Sequence, residues 1–116
     1  MSEILLVDAA GMSISMLSNK MDQYSAAHDL GYHVEGIDAA AEEHIAHVKP
    51  AIIMIAPQVS YLFDKYNDKY GADIPVVNIE MMAYGTMNAE KIISAAIEKI
   101  GLSLIHISEP TRPEPI

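Results

Sequence analysis

Cysteine and tryptophan are both missing from this 116-residue chain, which has one phenylalanine and one arginine. Without cysteine there is no disulfide, no thiolate metal site and no thiol nucleophile. The lone arginine, Arg112, stands near the C-terminal end. An anion site in the body of the chain must therefore use backbone N–H groups, hydroxyls or lysine. Basic residues are scarce altogether, and the formal net charge is −9. Nucleic acid and anionic lipid both call for a basic surface, so neither nucleic-acid binding nor unaided membrane docking is expected. Long apolar runs are absent too: none reaches the roughly 18 residues that a membrane span needs. The N-terminus has neither the basic start nor the apolar stretch of a secretory signal, so a cytoplasmic protein is expected. What the chain does have is 51% apolar residues, enough for one domain with its own core.

Strand-like and helix-like segments alternate along the chain. Residues 3–7, EILLV, read as a short buried strand. Ile14, Leu17, Met21, Tyr24 and His28 then recur at helical spacing, and Gly31 suits a left-handed helix exit. YHVEGID, 32–38, is a more polar strand suited to a sheet edge. AAAEEHIAHV, 39–48, is helix-prone until Lys49-Pro50. AIIMIA, 51–56, is a buried strand, and Pro57 fits the first position of a helix carrying Val59, Leu62, Phe63, Tyr66 and Tyr70. IPVVNI, 74–79, makes a fourth strand. EMMAYG, 80–85, reads as a turn-rich link to a last helix with Ile92, Ile93, Ala96, Ile97 and Ile100 on one side.

This alternation predicts an α/β fold: a single four-stranded parallel sheet, order 2-1-3-4, with helices on both faces. The domain is expected to span residues 1–101. Residues 102–116 form a tail in which HISEPTRPEPI suits neither helix nor strand. LSLIHISEPTRP within it resembles the translation of a sequencing adapter, so the tail is expected to be foreign or disordered. In an open parallel sheet the ligand crevice lies off the carboxyl ends of the strands, where the strand order reverses between strands 1 and 3. Loops 8–13 and 57–61 meet there, with 80–85 nearby.

The first of these loops carries the chemistry. Ala9 and Ala10 leave a concavity open, and Gly11 supplies backbone freedom. N–H groups from Ala9 through Ser15 and a helix N-terminus can together hold an oxyanion, with Ser13 and Ser15 as hydroxyl donors or caps. Asp8 stands at the mouth. A phosphate-accepting aspartate of receiver type would need a second Asp at the end of the third strand, where this chain has Ala56-Pro57. His44 and His47, one turn apart beside Glu42 and Glu43, read as solvated surface, so no metal and no cofactor are expected.

Three blocks in order, ILLVDAAGMSISML, IIMIAPQVSYLFD and VVNIEMMAYGTMNAEKII, resemble the IIB component of the lactose/cellobiose (chitobiose) family of the bacterial sugar phosphotransferase system. The resemblance covers roughly residues 3–101. It implies a cytoplasmic phosphoryl carrier that takes phosphate from a histidine of the IIA component onto a cysteine. The carrier then passes it to a disaccharide held by the membrane IIC component. Asp8 occupies the position of that cysteine, so this chain is expected to be an inactive variant. The alternative is a non-catalytic regulatory module that senses or presents charge in the anion pocket. The resemblance also places residues 9–15 (Ala9, Ala10, Gly11, Met12, Ser13, Ile14, Ser15) around the phosphoryl group. Ile14 departs from the family's usual threonine there, which removes a hydroxyl from the rim. Met12, Pro57, Gln58, Met81, Met82 and Tyr84 are expected to form the surface that docks IIA and IIC.

Overall fold

The computed structural model describes residues 2–9, 11–41 and 43–108, of which 11–13, 41, 46 and 102–108 are described by backbone alone. Strand β1 (Ser2–Asp8) leads into helix α1 (Gly11–Ala27), and β2 (Tyr32–Asp38) into the short α2 (His44–Val48). Next come β3 (Ile52–Ile55), α3 (Phe63–Tyr70), β4 (Val76–Asn78), α4 (Met81–Gly85) and α5 (Ala89–Ser108). All pairings are parallel and the order is β2-β1-β3-β4, as the alternation of segments predicts.

Successive strand residues point to opposite faces. Residues 4–8 of β1 and all four residues of β3 are buried, so both faces of these central strands are covered. Register sorts the layers. Leu6 lies beside Gly36 on one side and Met54 on the other, and Met54 beside Val77. That face meets α1 and α5, which pack against each other. Leu5, Val7, Ile53, Ile55 and Val76 occupy the opposite face, toward α2 and α3.

The edge position of β2 is managed by α1. Ser25, buried in α1, donates to the Tyr32 carbonyl at 2.7 Å and accepts from the Tyr32 N–H at 3.1 Å. Asp22 Oδ1 accepts from the Val34 N–H at 3.0 Å. Two residues of the outer strand thus find side-chain partners for their backbone groups instead of a further strand. Gly31, at φ +80°, makes the exit between α1 and β2. Gly36 matters for space and not for backbone angle. A Cβ there would lie 3.1 Å from both the Ile14 carbonyl oxygen and Ile14 Cγ1. The missing side chain lets the first turn of α1 sit directly on the sheet.

Four segments differ from expectation. The 39–48 stretch does not form one helix. Asp38 Oδ1 accepts the Ala40 N–H at 2.9 Å and holds a 3-10 turn over Ala39–Ala41, while α2 ends at Lys49 with φ 51°. Pro57 opens a 3-10 segment, Pro57–Leu62, in which Val59 leaves helical geometry and buries its side chain. Residues 81–85 form helix α4, closed where the Thr86 hydroxyl donates to the Met82 carbonyl at 2.9 Å. Finally, α5 runs through Ser108, past the expected boundary at 101, because nothing before Pro110 interrupts its backbone bonding. The rest of the tail lies outside the described residues. His28 also departs from the α1 stripe: it is exposed and stacks on Tyr24, with ring centroids 4.1 Å apart.

Adding one carbon at Gly36 should press against backbone as well as side chain. Gly36→Ala is expected to lower stability in urea by about 1 kcal/mol or more, as overpacked sites do. A gain in stability would contradict the close seating of α1.

Candidate functional site

Asp8 is the last residue of β1, and its side chain shares a face with Leu6, toward α1 and α5. It is 3% exposed, unusual for a carboxylate. Burial of that kind is costly unless donors replace water. Two donors do so among the described residues. The Ala9 N–H donates to Oδ1 at 2.7 Å, and the Tyr84 hydroxyl donates to Oδ2 at 2.6 Å.

Helix α1 begins at Gly11, so the segment after Asp8 is shorter than the cradle read from sequence. Residues 11–15 already belong to the helix. The first four N–H groups of any helix lack intrahelical acceptors, and the helix dipole places about half a positive charge at that end. Asp8 therefore sits at the amino end of a 17-residue helix, in a position that favours negative charge.

The expected site residues divide accordingly. Ala9 donates to the carboxylate, and Gly11 starts the helix. Ala10 lies outside the described residues, as do the side chains of Met12 and Ser13. Ser15 is exposed. The Ile14 side chain is fully buried beneath the helix against Gly36, so it faces the sheet and does not form a rim. Its apolar character fills core at this position.

Tyr84, expected on the docking surface, is only 7% exposed and has its hydroxyl on Asp8. Helix α4 aims it inward, while Met81 and Met82 from the same turns stand 74% and 70% exposed. Pro57, Gln58, Met81, Tyr84 and Gly85 line one shallow groove beside the carboxylate. The structure thus gathers four of the expected docking residues, with Met82 on the adjoining surface. No spacing rule links Tyr84 to Asp8, since 76 residues separate them. Only the sheet order, which brings the loops after β1, β3 and β4 to one end, could have suggested the pair.

Comparison with known proteins identifies the family of the whole domain. The family profile described as "PTS system, Lactose/Cellobiose specific IIB subunit" matches residues 3–95. The chain belongs to this IIB family. It is 36% identical over 104 residues to the oligo-beta-mannoside-specific EIIB component of Bacillus subtilis, covering 84% of this chain and 94% of that protein. It is 31% identical over 98 residues to the galactose-specific EIIB component of Lactococcus lactis subsp. cremoris, covering 80% and 91%. The solution structure of the cellobiose-specific phosphotransferase IIB component from Borrelia burgdorferi superposes with a TM-score of 0.69. It shares 29% identity, over 86% of this chain and 92% of that one. Among the described residues, no helix of this IIB-family chain is long and apolar enough to cross a membrane.

The electrostatics of the pair are carried by the phenol. Burial first, then the hydrogen bond to Asp8 and the charge of that carboxylate, push the Tyr84 pKa well above its ordinary value of 10.0. A phenol that holds its proton more tightly when folded contributes stability that is complete below about pH 10 and is lost as pH rises beyond it. Alkaline spectrophotometric titration of the chain beside Tyr84→Phe should therefore assign Tyr84 an ionisation well above the ordinary phenol range, with stability falling from about pH 10 upward. Asp8→Asn should move that tyrosine back toward the ordinary range. A Tyr84 that ionises at its ordinary value in the folded protein would contradict the buried pair.

Proposed function

We propose that this chain is a IIB-type phosphoryl-carrier domain in which the carrier position holds aspartate and the transfer step is therefore lost. The supporting observation is the place of Asp8: buried at the end of β1, before the amino end of α1, with a hydroxyl donor on Oδ2.

A cysteine at this position would meet conditions that favour a thiolate. The dipole of α1 and nearby N–H donors lower thiol pKa values in such sites. The sulfur would attack the phosphorus of a IIA phosphohistidine, forming an S–P bond as the N–P bond breaks. Donors directed at the transferred group would hold its oxygens without reorganising. Transfer to the hydroxyl of a disaccharide on IIC would then break the S–P bond and regenerate the thiolate. Aspartate keeps a charge in the pocket but offers no sulfur. Its single negative charge is also less than the up to two of a phosphoryl group.

The groove of Pro57, Gln58 and Met81, with Met82 beside it, suits sequential docking of IIA and IIC. Exposed methionines adapt to more than one partner and release each.

Asp8→Cys, incubated with a phosphorylated IIA of this family, should take up about one phosphate per chain as an alkali-stable, iodine-labile thiophosphate ester, while the unchanged chain stays at background. Absence of label in the cysteine variant, with a donor that labels an active IIB protein, would overturn the proposal.

A further inference from the structure

A second polar cluster lies at the far edge of the sheet, at the amino ends of β1 and β2. His33 and Glu35 alternate on β2 with one residue between them, so both project from the same face. Glu3 of β1 pairs with His33 in register and joins them on that face. One ligand atom from each of Glu3, His33 and Glu35 falls within 4.8 Å of the other two. The two outer members are held from behind. Asp22 Oδ1 lies 2.9 Å from His33 Nδ1, and His44 Nε2 lies 3.0 Å from Glu35 Oε2.

The Asp22 contact decides which imidazole nitrogen is available. With Nδ1–H donated to a carboxylate, neutral His33 carries its lone pair on Nε2, which faces Glu3 Oε2 at 4.0 Å. Two acceptor atoms facing across 4.0 Å leave room for a cation at ordinary ligand distances of about 2.0–2.2 Å on each side. Glu3 offers a further reason. Its Oε1 is fully buried and has no hydrogen-bond partner among the described residues. A cation held by both oxygens of the Glu3 carboxylate would satisfy Oε1 as well as the Oε2 that faces His33.

We infer that Glu3, His33 and Glu35 form a binding site for a divalent transition-metal ion of zinc type, with Asp22 and His44 orienting the imidazole and the Glu35 carboxylate. Mixed nitrogen and oxygen ligands suit zinc over calcium or magnesium, which prefer oxygen alone. A carboxylate behind a ligating histidine is the usual outer support of zinc sites. The fourth coordination position faces solvent, since His33 and Glu35 side chains are 46% and 37% exposed. Zinc there would cross-link the first strand to the outer strand, and the site is independent of the chemistry at Asp8. Sequence spacing directs attention instead to His44 and His47, but His47 is exposed on α2 and only His44 reaches the cluster.

Calorimetric titration of the full chain with zinc chloride near neutral pH should show one site. His33→Ala and Glu3→Gln should each weaken binding at least tenfold, whereas His47→Ala should leave it within twofold. Because a substitution could also disturb the edge strand, imidazole nitrogen NMR of the unsubstituted chain gives a second reading. Zinc should move the His33 Nε2 resonance while Nδ1 stays protonated. No binding below millimolar zinc, binding that survives His33→Ala, or resonance changes confined to other histidines would each overturn the inference.

Discussion

A buried carboxylate at the end of the first strand needs donors, and this end of the sheet supplies them. Asp8 is reached from two directions: by the N–H that follows it in the chain and by a phenol from the opposite end of the sequence. The second contact requires β3 to lie between β1 and β4, and α4 to turn Tyr84 inward while its methionines face out. The seating of α1 is part of the same arrangement. Gly36 lets the first turn of that helix approach the sheet three residues after β1 ends. An anion position results from backbone and one hydroxyl, in a body with no arginine.

The elements that were legible in the sequence are those governed by burial on both faces or by a single local constraint. The apolar runs of β1 and β3 could only be central strands, and the polar run 32–38 could only be an edge. Gly31 marked a left-handed exit because few other residues adopt that backbone geometry cheaply. The segments that differ lack such constraints. Residues 81–85 contain nothing that forbids helix and nothing that demands it, and their helical state follows from docking Tyr84 and Ala83 into the core. The 39–48 stretch has strong helix propensity, yet it forms a 3-10 turn capped by Asp38 and then a short helix from His44.

At the site, position 8 and the helix that follows it were readable because they are adjacent in the chain. Tyr84 was not, since its role depends on a contact across 76 residues. Ile14 misled for a related reason: a residue in the first turn of a helix can face either the ligand or the sheet, and only the glycine opposite it decides. The edge cluster was hidden in the same way. Its acidic and imidazole groups come from two strands and two helices, and the period-two alternation that unites His33 with Glu35 gives no hint of Glu3 across the ladder.

The Asp8 carboxylate, just before the start of α1, is held by the Ala9 N–H and the Tyr84 hydroxyl, and we assign this place to an anion. Amide NMR of Asp8→Ser, titrated with inorganic phosphate beside the unsubstituted chain, tests this most directly. Saturable shifts are expected at Ala9 and the first-turn amides of α1 in the serine variant alone, because the carboxylate otherwise holds the position. Equal shifts in both proteins, or none in a folded serine variant, would contradict it.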